Sequence, residues 1–403
     1  MDEDDQISPL RAELWKKARN VKELLKKAID YARLSLDLAF NAIVYGDEEL
    51  AEEVLEIERE MDKVELQILA WTALAVRNRR EAEEAVSVYK LASSLNKISD
   101  AASDLAKAYL DYRPAFNFDV PVSNGDEIVA RLIIGTDLEK PVESVLKEHN
   151  IVIDILAIRK DGEWDVEPPL TIKPMKNEVL IVKGSRGAVE TFARAIGSEI
   201  KRKAAPPLEV SSQLLELGKI VGVMFSLALA ALLMRAEKLA RQVEDLEGYV
   251  DEYLVNFEKM VLSSNLRNNE KGAYLFAAFA IEHIADSALE MVSPVLMGLR
   301  PHPLLMDVLD ETKERISVIE MEEADEGCTL AELGYHRKGI LVLAVKRGRE
   351  WLLMPPYTDF KIRSGDILLV KYYEESEDYV EIEERKEDRE DIIEDVWEEA
   401  TEG

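Results

Sequence analysis

Residues 157–171 read AIRKDGEWDVEPPLT, and residues 344–358 read AVKRGREWLLMPPYT. Trp164, Pro168, Pro169 and Thr171 recur as Trp351, Pro355, Pro356 and Thr358, each 187 positions later. Tryptophan occurs only 5 times in 403 residues, so W-x-x-x-P-P twice in one register marks an internal duplication. An apolar strand pattern follows each copy, Asn177 to Val182 and Gly365 to Val370, now 188 positions apart because one residue has been inserted. The chain is one plan written twice.

Working outward, a long helical tract precedes each copy. Ser8-Pro9 is a good N-cap and first-turn pair, and helical pattern then runs to Tyr45, where Gly46-Asp47 breaks it. A second helix is predicted from Glu48 to Asn78 and a third from Glu81 to Tyr112, ended by Arg113-Pro114. The tract repeats from about Ser211 to Met291, although no Gly or Pro marks the break between its first two helices. Residues 127–135 and 151–158 read as strands, with a short helix over 140–149 between them. The predicted fold is therefore multi-domain α+β, with two three-helix bundles alternating with two small β/α domains. The expected domains are 1–115, 116–205, 206–301 and 302–381, followed by an acidic tail at 382–403.

Composition narrows the function classes. With 81 acidic against 51 basic side chains the formal net charge is −30, and no Lys/Arg block offers a local basic patch, so nucleic acid and anionic lipid are poor partners. Beyond Tyr372 the balance is 16 acidic to 3 basic, which reads as a solvated helix or a disordered segment. The single cysteine, Cys328, excludes an intrachain disulfide, and no CxxC or HxH spacing builds a zinc site. MDEDDQ is acidic where a signal peptide would be basic, so a cytoplasmic protein is expected. The longest uncharged run, Ile220 to Met234, falls short of the roughly 17 to 25 residues of a spanning helix and reads as a buried or subunit-facing helix. That excess of apolar residues predicts a homodimer.

Carboxylates pair at helical spacing. Glu58 and Asp62 are four residues apart in the second helix, and Asp100 and Asp104 in the third. Like charges at that spacing repel by a few tenths of a kcal/mol and invite a neutralising cation, yet roughly 16 such acidic pairs are expected from composition alone. Position distinguishes these. Glu247 and Asp251 lie 189 residues after the first pair, and Asp286 and Glu290 lie 186 after the second. The apolar stripe Leu91, Leu95, Ile98, Ala102 and Leu105 points away from Asp100 and Asp104, which are therefore expected at the surface. A solvated acidic face and a surface metal site shared by adjacent helices both fit that pattern.

The tracts EREMD (58–62) with NKISDAASD (96–104), and EGYVD (247–251) with EHIADSALE (282–290), resemble the paired E(D)xxxD motifs of PhoU domains. The resemblance implies three-helix repeats whose carboxylates hold multinuclear metal clusters. The implied ligands are Glu58, Asp62, Asp100 and Asp104 in one repeat, and Glu247, Asp251, Glu282, Asp286 and Glu290 in the other. Asn96 stands where the second copy has Glu282, and Glu290 where the first has an aspartate. An oxygen-only donor set implies a hard ion: Mg, Ca, Mn or oxidised Fe.

Residues of about 120–195 and 308–381 resemble the C-terminal domain of TrkA/RCK potassium-conductance regulators, through the two duplicated tracts and the ending Ser364-Gly365-Asp366-Ile-Leu-Leu-Val370. That resemblance implies effector-binding modules that dimerise and regulate potassium channels or transporters. No GxGxxG follows a strand, and Gly184-Ser-Arg-Gly187 has the wrong spacing, so no NAD or ATP site is expected. The turns Arg159-Lys160 and Lys346-Arg347 read either as solvated hairpin ends or as contacts for an anionic effector.

The four histidines, His149, His283, His302 and His336, lie in no nucleophile context, and the carboxylate pairs lack E-x-x-H partners. A non-enzyme is expected. The leading expectation is a cytosolic regulator of cation transport, with potassium as the ion, that binds a small-molecule or ion effector and contacts a membrane channel or transporter. A PhoU-like regulator of phosphate uptake and a metal-dependent hydrolase are the alternatives.

Overall fold

The computed structural model describes residues 20–45, 48–112, 127–160, 163–166, 168–198, 209–233, 235–299, 301–310, 314–348, 350–353, 360–373 and 376. The expected cap at Ser8-Pro9, the helix end at Arg113-Pro114, the prolines at 355–356 and the acidic tail lie outside them.

Three helices open the chain, α1 (Val21–Tyr45), α2 (Glu48–Ala75) and α3 (Arg79–Tyr112). A module of β1 (Glu127–Ile133), α4 (Val142–His149), β2 (Asp154–Lys160), β3 (Glu163–Val166), β4 (Val179–Ser185) and α5 (Arg186–Ala195) follows. The plan then repeats with α6 (Glu209–Leu233), α7 (Glu237–Ser263), α8 (Asn268–Leu296) and the short α9 (Pro303–Asp310). The second module holds β5 (Glu314–Glu320), α10 (Leu330–Leu333), β6 (Ile340–Arg347), β7 (Glu350–Leu353) and β8 (Ile367–Tyr373). Helices α1–α3 and α6–α9 form one compact unit, and the two β/α modules form another.

In the helical unit α3 packs on α1 and α2 of its own repeat and on α8 of the other, so α3 and α8 are the seam between repeats. Both helices bury small residues, Ala101, Ala102, Ala106 and Ala108 on one and Ala277, Ala278, Ala285 and Ala288 on the other. Small side chains let two helix backbones approach closely, which is why a polar-looking helix such as α3 still buries one whole side. Helix α6 is buried at every position from Met224 to Leu232. Among the described residues it is the one helix long and apolar enough to cross a membrane, yet 72% of its apolar window is buried within the fold. Packing against α7, α8 and α9 accounts for the apolar excess that the sequence presents.

The break between α6 and α7 has a specific cause. Arg235 takes the left-handed conformation (φ 49), with its N–H donating to Leu232 O and that of Ala236 to Ala231 O. These two bonds close a Schellman motif, a position usually held by glycine, and an arginine there left no signal in the sequence.

In the other unit each module is a four-stranded antiparallel sheet, ordered β1-β4-β2-β3 and β5-β8-β6-β7. The duplication extends to an irregularity: the extra residue of a β-bulge falls between Ile155 and Ala157 in one sheet and between Val342 and Ala344 in the other, 187 positions on. The core of the first module joins Leu132, Ile155, Leu180 and Val182 to Val145, Val189 and Phe192 of its helices. Gly135 is required there, because a Cβ on it would stand 2.0 Å from the carbonyl oxygen of Gly197. In the second module Asp366, only 1% exposed, accepts from Arg347 Nε (2.8 Å) and Nη2 (2.6 Å) and from the Arg363 N–H (2.8 Å). Arg347 is thus a structural tie between strand and turn, and its guanidinium is already engaged. Glu178, the counterpart of Asp366, closes the equivalent turn by accepting from the Met175 N–H at 2.8 Å.

Candidate metal centre

Apolar burial fixes where the motif carboxylates point. The stripe Leu91, Leu95, Ile98, Ala102 and Leu105 is completely buried, which turns Asp100 and Asp104 of α3 toward α2 and solvent. On α2, the buried Val54, Ile57, Met61, Val64 and Ile68 leave Glu58 and Asp62 on the facing edge. One oxygen each from Glu58, Asp62 and Asp100 lies within 4.8 Å of the others, the one such acidic or histidine triplet among the described residues. Two oxygens on opposite sides of a Ca²⁺ ion at roughly 2.4 Å each stand roughly 4.8 Å apart, so the triplet spans one hard cation.

Asn96, one turn before Asp100, donates its Nδ2 to Asp62 at 3.3 Å. Its Oδ1 is buried and has no hydrogen-bond partner. An orphaned acceptor beside three carboxylates makes the donor set oxygen-only and fits a hard cation. Burial, followed by the charges of Asp62, Glu58, Glu65 and Asp104, pushes the Asp100 pKa up to about 6. Asp104 also forms an ion pair along its own helix with Lys107, at 3.1 Å.

The second repeat gathers the equivalent residues more loosely. Burial and then Asp251 and Asp286 raise the Glu247 pKa, and burial and then Asp251 raise that of Asp286, so α7 and α8 bring these three into mutual repulsion. Glu282 joins them, its pKa raised by burial and Asp286. Glu290 does not. Its two oxygens are taken by Lys90 (3.0 Å) and Lys97, both from α3 of the first repeat, and hydrogen bonding to Lys97 first of all lowers its pKa.

Between α3 and α8 runs an open cleft of about 590 Å³, lined by Lys97, Asp100 and Asp104 on one side and His283, Asp286 and Glu290 on the other. His283 is exposed there, its Nε2 3.8 Å from Glu282, and Ser287, which lines the same cleft, donates its hydroxyl to the His283 carbonyl at 2.7 Å. Three contributors escaped the sequence reading. Lys90 and Lys97 carried no motif signal. Glu65, which acts on Asp100, has Leu254 as its counterpart 189 positions later and so lacked the repetition that marked the others.

Residues 25–109 and 214–295 match the PhoU domain family, one segment in each helical repeat. No curated protein matches the chain. Among solved structures, the phosphate transport system regulatory protein PhoU from Streptococcus pneumoniae is 14% identical, with a TM-score of 0.41 over 70% of this chain and 96% of that one. PhoU from Pseudomonas aeruginosa is 15% identical, with a TM-score of 0.34 over 72% and 96%. The GsuK RCK domain is 13% identical, with a TM-score of 0.18 over 74% and 78%.

Proposed function

We propose that this chain is a non-catalytic regulator of ion uptake, acting in the cytoplasm on a membrane transporter. Its helical unit binds a hard metal ion, and its paired β/α modules bind an effector. The observation that carries the reading is the match of both helical repeats to the PhoU domain family. Glu58, Asp62 and Asp100 converge inside the first matched segment. In this reading Asn96 completes the oxygen set, while Glu247, Asp251, Glu282 and Asp286 form the related cluster. At the first cluster a bound metal would supply the positive charge that lets Glu58, Asp62 and Asp100 sit together; the residues themselves supply position. Regulation requires that effector and metal bind two states of the protein with different affinity. A homodimer is part of the proposal, resting on the dimerisation that the resemblance of the β/α modules to TrkA/RCK C-terminal domains implies, and would appear in light scattering as twice the chain mass.

The family match supports phosphate uptake at least as well as potassium uptake, and the potassium reading rests on the strand-turn-strand resemblance of the β/α modules. Uptake of labelled phosphate and of rubidium in cells lacking the protein decides between them. A change in one flux assigns the ion, and no change in either overturns the regulatory reading.

A further inference from the structure

The contact at Glu290 runs in one direction only. Helices α3 and α8 are equivalent with an offset of 186, so Glu290 corresponds to Asp104, Lys97 to His283 and Lys90 to Phe276. The first repeat therefore reaches across with two lysines to the second repeat's closing carboxylate, and the second repeat returns a histidine and a phenylalanine. The one lysine in α8, Lys271, donates to the Leu262 carbonyl at 2.7 Å. Asp104 shares the cleft with His283 and draws its ammonium partner from its own helix. The oxygens of Glu58, Asp62 and Asp100 converge to within 4.8 Å, and no triplet of the second cluster does.

We propose that Lys90 and Lys97 are the built-in counter-cation of the second carboxylate cluster. Metal then occupies the first cluster, and enters the second only when these lysines release Glu290. The inference rests on the metal reading given above and specifies how the two clusters divide the work. Both oxygens of Glu290 are engaged, so the second cluster lacks a closing ligand. An ammonium at that distance supplies the neutralising charge that a metal would bring. Filling the second cluster thus means breaking two ion pairs on the α3–α8 seam, which ties metal occupancy to the packing of one repeat on the other.

The test measures Mn²⁺ alone, bound to the full chain in equilibrium dialysis. Wild-type protein is expected to lose its Mn²⁺ with Asp100→Asn and keep it with Asp286→Asn. Lys90→Gln with Lys97→Gln is expected to raise bound Mn²⁺ about two-fold, the gain being erased by Asp286→Asn, because an unpaired Glu290 becomes an available ligand. Lys90→Arg with Lys97→Arg retains the charge and should leave the wild-type stoichiometry. Equal losses in Asp100→Asn and Asp286→Asn, or no gain in the glutamine variant with native circular dichroism, would overturn the inference. Wild-type protein that binds no Mn²⁺ removes the reading of the first cluster, and the glutamine variant then still decides the role of the lysines by its gain or lack of one.

Discussion

Lys90 Nζ lies 3.0 Å from Glu290 Oε1, across 200 positions of chain and from one repeat to the other. The bond ties the two copies of the helical plan at their seam, and Lys97 doubles it. Glu290→Gln should lower stability by about 1 kcal/mol at neutral pH, since the pair is partly exposed and solvent-screened. Its pKa is depressed, so this stabilisation is present above the ordinary glutamate pKa and disappears as pH falls through the lower folded value. Urea unfolding at pH 7 and at about pH 3 should show the difference from wild type in the first and not in the second.

Asp100 behaves in the opposite sense. Its pKa of about 6 stands above the ordinary aspartate value because of burial and the carboxylates around it. Protonation therefore favours the folded state: the contribution is fully present below the ordinary pKa and is lost as pH rises through about 6. Asp100→Asn should raise the metal-free Tm at pH 7.5, by about 1 kcal/mol of stability after discounting for solvent screening. Added Mn²⁺ should stabilise the wild type and leave the variant unchanged.

The buried turn of the second module offers a sharper effect. Arg347→Ala strips the bidentate partner from Asp366, which burial alone would push up in pKa but which Arg347 and the Arg363 N–H hold low. Leaving a buried carboxylate without its cation should cost about 3 kcal/mol, read by thermal denaturation. Arg347→Lys should restore only part, because a point charge does not reproduce the two-pronged contact.

In the first module Gly135→Ala should destabilise by about 2 kcal/mol or more, since the clash is with backbone at Gly197 and no side chain can swing aside. Hydrogen exchange over β1 and α5 should accelerate in the variant.

The architecture was legible because duplication leaves a signal that single motifs lack. The W-x-x-x-P-P pair and the repeated carboxylates located the strand-rich and helical segments of both copies, and the offset of 187 reappears in the β-bulges. Exposure of Asp100 followed from the 3.6-residue period of the Leu91–Leu105 stripe. What the sequence concealed depends on packing between copies. Arg235 ends α6 with a conformation that marks a break when glycine adopts it and is silent in an arginine. The apolar run of α6 reads equally well as a subunit surface until α7, α8 and α9 are seen to cover it. Lys97 is an ordinary surface lysine in the sequence, and it gains meaning only from Glu290 on a helix of the other repeat. In the sequence Asn96 is only the residue that stands where the second copy has Glu282; the structure gives it an orphaned oxygen beside the converging carboxylates.

The central claim is that the first carboxylate cluster is a metal site. Elemental analysis of protein purified without chelator tests it most directly, with Asp62→Asn plus Asp100→Asn as the control. The account predicts stoichiometric Mg, Ca, Mn or Fe in the wild type, lost in the double variant. Metal absent from both, or retained undiminished in the double variant, would contradict it.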